Sequence, residues 1–163
     1  MNISLTAVQK ITSPNPFALI SARKPDHGTN LMAVSWWMYV SNHPPMVAVC
    51  LSQRSYTNEL IQAAKEFALN IADSSLQEAA FACGTCSGRT EDKAAKFHIP
   101  LKVATVIAGS VVAGSAATLE CRLLQSIPAG DHTIFLAEVV HADADPTRHP
   151  LFAMDGYRAL SAL

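Results

Sequence analysis

The chain has 163 residues, half of them hydrophobic and 15% charged, with a formal net charge of −1. That length is most simply one domain (1–163) with room for a real core, and the hydrophobic fraction excludes a disordered chain. The even charge, without a basic block, speaks against nucleic acid as a partner. No apolar run approaches the roughly 20 residues of a bilayer span, and residues 1–10 lack the basic-then-apolar order of a signal peptide, so no membrane partner and a cytoplasmic location are expected. So much apolar surface with so little charge also suggests that a second subunit covers part of it.

Pro14 and Pro16 bracket a turn, residues 17–22 are apolar enough for a strand, and Lys24-Pro25-Asp26-His27-Gly28 is a turn cluster. Residues 31–40, rich in aromatic and β-branched side chains, predict one strand, which Pro44-Pro45 ends because proline cannot donate to a ladder. A second strand is predicted over 46–53. A short helix follows over 58–66, with Leu60, Ile61 and Ala64 on one face, and then a strand over 67–72. Ser75-Leu76-Gln77-Glu78 has the spacing of a capping box for a helix ending at Ala82. A small-residue loop over 84–89 leads to a short polar helix over 90–97 capped by Thr90, and a strand is predicted over 102–106. Two longer strands, 116–127 and 132–142, are joined at Pro128-Ala129-Gly130-Asp131, where glycine can supply a positive φ. The tail carries Pro150-Leu151-Phe152 and Gly156-Tyr157-Arg158. Many strands with a few short helices predict a mainly β fold, a closed or partly closed barrel with helical decoration. Irregular strand–helix alternation and the lack of G-x-G-x-x-G oppose a doubly wound sheet.

Four segments could carry chemistry. In Ser52-Gln53-Arg54-Ser55-Tyr56-Thr57-Asn58, hydroxyls, a guanidinium and free helix-start amides suit a phosphate, although Ser and Thr before a helix also serve as simple caps. Over 30–37, strand alternation would put Ala33, Ser35 and Trp37 on one side and Met32, Val34 and Trp36 on the other. Small residues there admit a planar ring, while the tryptophans serve equally as core or interface aromatics. Gly130-Asp131-His132 could set a histidine at a barrel mouth or merely shape the turn. Ser87-Gly88-Arg89 with Asp92-Lys93 could close over an anion or form a solvated face.

Among the cysteines, Cys83-Gly84-Thr85-Cys86 is a C-x-x-C that follows a predicted helix rather than opening one, and it lacks a second ligand pair, so ordinary reduced thiols are expected. The six histidines have no metal-ligand spacing, and no nucleophile-with-base motif is present. If the chain is an enzyme, a bound cofactor carries its hard chemistry.

Taken in order, these segments resemble the flavin reductase-like family of FMN-binding split-barrel proteins, in its flavoredoxin and ferric reductase branch. The matching stretches are 30–35, Ser41-Asn42-His43-Pro44-Pro45, Ser55-Tyr56-Thr57, Phe67-Ala68-Leu69-Asn70-Ile71, Ser87-Gly88-Arg89 with Asp92-Lys93, Leu119-Glu120-Cys121, Gly130-Asp131-His132 and the tail. The resemblance implies a six-stranded split barrel, a homodimer and non-covalent FMN. Asn30, Met32, Ala33, Val34 and Ser35 would line the ring and ribityl chain, and Ser52, Arg54, Ser55 and Thr57 would hold the phosphate. Ser87 and Lys93 would close the site, from the same or the partner chain. His132 would act where nicotinamide docks. The implied activity moves electrons from NAD(P)H through FMN to free flavin, a ferric complex or a partner protein. A flavoredoxin-like carrier without NAD(P)H activity, or a non-catalytic FMN-binding or sensing module, are the alternatives. Trp36-Trp37 replaces the Ser-Phe pair common in the family, which narrows access to the ring.

Overall fold

One stretch of chain supplies both edges of the main sheet. The computed structural model describes residues 3–163. Its seven-stranded sheet is antiparallel throughout, in the order β3-β2-β6-β9-β10-β5-β4. The strands are β2 (Ala18–Arg23), β3 (Thr29–Val34), β4 (Trp37–Asn42), β5 (Pro45–Ser52), β6 (Glu66–Ile71), β9 (Ala117–Ala129) and β10 (His132–Ala144). The single strand predicted over 31–40 is therefore two. Val34 is buried in the barrel core and Trp37 packs on that same core, so the chain bends at Ser35 and Trp36 to present both. With β3 on β2 and β4 on β5, the bent run links the two ends of the sheet and closes six runs of chain into a split barrel.

Burial explains why β2 reads as continuously apolar. Ala18, Ile20 and Ala22 face the barrel core with Val47, Val49, Phe67, Leu69 and Phe135, while Phe17 and Leu19 face a second cluster with Leu31, Ala80, Ile99, Val112 and Leu151. A strand covered on both faces loses the alternation of a half-wet one. Buried Asn70 ties the layers together: its amide donates to Leu19 O (2.9 Å) and Ser21 Oγ (3.1 Å), and its Oδ1 accepts from Val112 N (2.9 Å).

Helices and ribbons decorate this barrel. They are α1 (Leu5–Ile11), α2 (Tyr56–Ala64), α3 (Gln77–Ala82) and α4 (Lys93–Lys96); β7 (Leu101–Val103) pairs with β8 (Ser110–Val112), and β1 (Asn15–Pro16), β11 (Leu151–Met154) and β12 (Ala159–Ala162) form a small sheet. No helix of the described residues is long and apolar enough to cross a membrane.

Several expected ends move for local reasons. The Ser75–Glu78 box does not form; Asp73 caps the turn before α3, accepting from Ser75 N at 3.0 Å and Ser75 Oγ at 2.5 Å. Asp92, not Thr90, caps α4, accepting from Ala95 N at 3.1 Å, because a carboxylate is the stronger acceptor for helix-start amides. The strand predicted over 102–106 stops at Val103, since the amides of Thr105, Val106 and Ile107 turn onto the buried Glu120 carboxylate at 2.7, 2.6 and 3.0 Å. Gly130 closes the β9–β10 hairpin with φ +62°, as its position predicts.

Candidate functional site

Three elements meet at one seam of the barrel: β3, the start of α2, and the loop between α3 and α4. They enclose a cleft of about 400 Å³, within the usual range for small-molecule sites. Asn30, Met32 and Ala33 come from β3; Arg54, Ser55, Tyr56 and Thr57 come from the entry to α2. The opposite wall runs from Cys83 through Gly84, Thr85, Cys86, Ser87 and Gly88, with Lys93 behind it.

Local chemistry fixes each wall. Where β5 ends, Ser52 Oγ accepts from Arg54 N (3.3 Å) and shapes the turn, and Ser55 Oγ then accepts from Asn58 N (3.2 Å) as the N-cap of α2. Buried Asn30 donates through Nδ2 to Thr57 Oγ1 at 2.8 Å, which leaves the Thr57 hydroxyl proton free to donate elsewhere. Gly88 lies directly on Asn30: a Cβ at that position would stand 1.7 Å from Asn30 Oδ1, so a glycine is required for the loop to approach so closely.

The cations differ in how they are occupied. Arg89 is paired in parallel with both Glu59 oxygens and lies 4.8 Å from the Tyr56 ring centroid, so it pins the loop to α2 instead of lining the cleft. Arg54 forms no ion pair with any described residue. Lys93 is buried, and Nζ donates to Cys83 O at 2.7 Å. Burial pulls its ammonium below the usual lysine range, opposed by the nearby thiols of Cys83 and Cys86. An anion entering here meets an uncompensated guanidinium, a desolvated ammonium, a free hydroxyl proton and the first turn of a helix. A phosphorylated group joined to a flat ring over the small Ala33 fits that donor set. Among the described residues, no cluster of three or more histidine, cysteine or acidic side chains could hold a metal.

Eight of the residues singled out from the sequence line this cleft: Asn30, Met32, Ala33, Arg54, Ser55, Thr57, Ser87 and Lys93. Four do not. Val34 turns into the barrel core, Ser35 sits at the bend after β3, and Ser52 is spent on the turn before Arg54. His132 stands on a neighbouring rim, with Nδ1 2.7 Å from Asp131 Oδ1 and its ring 4.9 Å from that of Trp36. The Asp131 carboxyl is held low chiefly by its hydrogen bond to His132, and Gln53 N donates to Asp131 O (3.0 Å), which sets this rim beside the turn that carries Arg54. Sequence reading missed Tyr56, Thr85 and both members of the C-x-x-C as wall residues. The signal was the adjacency of Cys86 to Ser87-Gly88-Arg89.

The Flavin reductase like domain family matches residues 11–161, nearly the whole chain. A protein of Escherichia coli K12, YddH, is 33% identical over 88% of this chain and 77% of its own length. The chain matches 63% of the length of an Archaeoglobus fulgidus relative at 30% identity, less than two thirds of that protein. An NADH-dependent FAD reductase of Streptomyces globisporus is 26% identical, over 77% of this chain and 68% of its own. The flavoredoxin of Desulfovibrio vulgaris superposes with a TM-score of 0.87 over 100% of this chain and 93% of its own at 24% identity, a likeness of fold. The protein is a split-barrel protein. It belongs to the flavin reductase-like family.

Proposed function

We propose that the chain binds FMN in this cleft and passes electrons from NAD(P)H to an acceptor: free flavin, a ferric complex or a partner protein. The observation that carries the reading is the pair of cations, Arg54 and Lys93, facing one cleft without carboxylate partners among its lining. A bound flavin supplies the two-electron chemistry for which the chain has no nucleophile or acid–base set. Arg54, Thr57 and the start of α2 hold the phosphate end. Ala33 lets the ring lie close to the strand, and Lys93 balances negative charge gained on reduction. His132, oriented through Nδ1 by Asp131, keeps Nε2 available at the rim where nicotinamide would dock. The name of the Streptomyces globisporus relative supports an NADH-linked reductase, and that of a Rhizobium resorcinol hydroxylase reductase component supports a protein acceptor. Trp36, Met38, Tyr39 and Val40, all exposed at the β4 edge, support a homodimer that covers them.

A second reading, a flavoredoxin-like carrier, is favoured by Trp36, whose ring lies 4.9 Å from that of His132 at a tilt of 33° and would crowd a nicotinamide docking there. Anaerobic addition of NADH or NADPH to the FMN-loaded protein separates the two. Loss of the visible flavin band supports the reductase, and a stable band supports the carrier. His132→Ala is expected to slow that loss several-fold with FMN affinity held; an equal fall in both would remove the docking role.

A further inference from the structure

The C-x-x-C is the one sequence motif that the flavin reading leaves unused. We propose that Cys83 and Cys86 form a dithiol–disulfide couple in the cleft wall, taking two electrons from the bound flavin and delivering them to a disulfide-bearing acceptor. This rests on the flavin reading and names the class of its acceptor.

Three observations carry it. Both thiols are free and both line the cleft, whereas Cys50 and Cys121 do not. The chain keeps turning past α3: Cys83 N donates to Ala79 O (3.1 Å), Gly84 N to Phe81 O (3.0 Å) and Thr85 N to Ala82 O (3.0 Å). That winding brings Cys86 round onto the same cleft wall as Cys83, close enough to act on the Cys83 thiol, and a movement of the bend at Cys86 would complete the approach a disulfide needs, with Cβ atoms about 3.5–4.5 Å apart. The two cysteines are also unequal. Cys83 is 1% exposed while Cys86 is partly exposed. Burial pushes the Cys83 thiol up to about 11, against the pull of Lys93, so it is a poor attacking group.

The division of labour follows. Cys86 Sγ, as thiolate, attacks one sulfur of the acceptor disulfide and expels the other as a thiolate, which takes the proton of Cys83 and leaves as a thiol. Cys83 Sγ then displaces the acceptor from Cys86, so that the Cys83–Cys86 bond forms and the acceptor leaves as two thiols. Restoring the pair breaks Sγ–Sγ and consumes two electrons and two protons. The electrons come from the reduced flavin with one proton, and solvent gives the other. Lys93, close enough to influence both sulfurs, favours the thiolate during exchange.

The test uses the whole chain with oxidised glutathione as the probe, read by mass spectrometry of the cysteine peptides. Wild type is expected to acquire a Cys83–Cys86 disulfide. Cys83→Ser is expected to keep glutathione on Cys86, and Cys86→Ser to keep at least tenfold less on Cys83. Failure of wild type to form the bond, or equal trapping in the two variants, overturns the proposal. Oxidised wild type with photoreduced FMN, without oxygen, is then expected to gain two thiols per chain at these positions; no gain despite FMN binding overturns the electron step. FMN binding is measured apart, by quenching of FMN fluorescence. Absence of quenching overturns the flavin reading and the relay with it, while the glutathione result still reports the couple.

Discussion

Two kinds of charged group stand in this barrel, and they differ in how completely the fold itself meets them: Glu120, Asp73 and Lys93 are buried, while Arg54 is exposed at the cleft. Glu120 and Asp73 are saturated. Three backbone amides converge on Glu120, and Asp73 collects Ser75 Oγ, two backbone amides and the Arg148 guanidinium. At the cleft, Lys93 has one hydrogen bond and Arg54 has no carboxylate partner among the described residues. A charge whose hydrogen-bonding capacity is filled by its own fold is structural. A buried one left with capacity to spare, as Lys93 is, marks a candidate seat for a ligand, and exposed Arg54 at its mouth adds charge to that seat.

The sharpest way to break that contrast is Glu120→Ala. It strands the three amides of the 104–109 loop, and a loss of about 3 kcal/mol in urea unfolding is expected, with FMN affinity little changed. Next comes Asp73, whose carboxyl is held at about 2, first by the Ser75 hydroxyl and then, against burial, by the amides of Ser75 and His149 and by Arg148. Its folded value lies below the unfolded one, so its stabilisation is present above about pH 4 and is lost as pH falls through about 2. Asp73→Asn should therefore remove about 2 kcal/mol at neutral pH and flatten the acid limb of the stability curve. An unaltered limb would show that Asp73 is not saturated in this sense.

On the other side of the comparison, Arg54→Ala should leave urea unfolding within about 0.5 kcal/mol of wild type and weaken FMN by about 1–2 kcal/mol. A stability loss without an affinity loss would reverse its assignment. Gly88→Ala should weaken FMN by about 1 kcal/mol, because the added methyl must displace the Asn30 amide from Thr57. Unchanged binding in a titration would mean that Asn30 does not shape the site.

Much of the architecture was legible because it rests on local rules. The 128–131 turn, the double proline and the strands predicted over 17–22, 46–53, 67–72, 116–127 and 132–142 each sit within a residue or two of their predicted places. The bend at Ser35–Trp36 was not legible: nothing in a β-rich run says that its halves must reach opposite ends of a sheet. Likewise, β8, β11 and β12 are too short to show a pattern, and β1 owes its form to β11 at the far end of the chain. At the site, hydroxyl and cation positions could be read from the α2 entry, since caps and anion seats share residue types. The roles of Cys83, Cys86 and Gly88 as wall and spacer depend on a loop folding back onto Asn30, which spacing alone does not encode.

The bent run also sets the pace at which the protein can assemble. Hairpins β2–β3, β4–β5 and β9–β10 join neighbours in sequence and can form early. The pairings that complete the ring, such as Leu19 with Asn70, Phe67 with Cys121 and Leu51 with Thr133, bring together residues dozens of positions apart. Loop-closure entropy must be met before those contacts return anything, so refolding should be slow for a chain of this size, with the β2–β6, β6–β9 and β5–β10 pairings the last to lock.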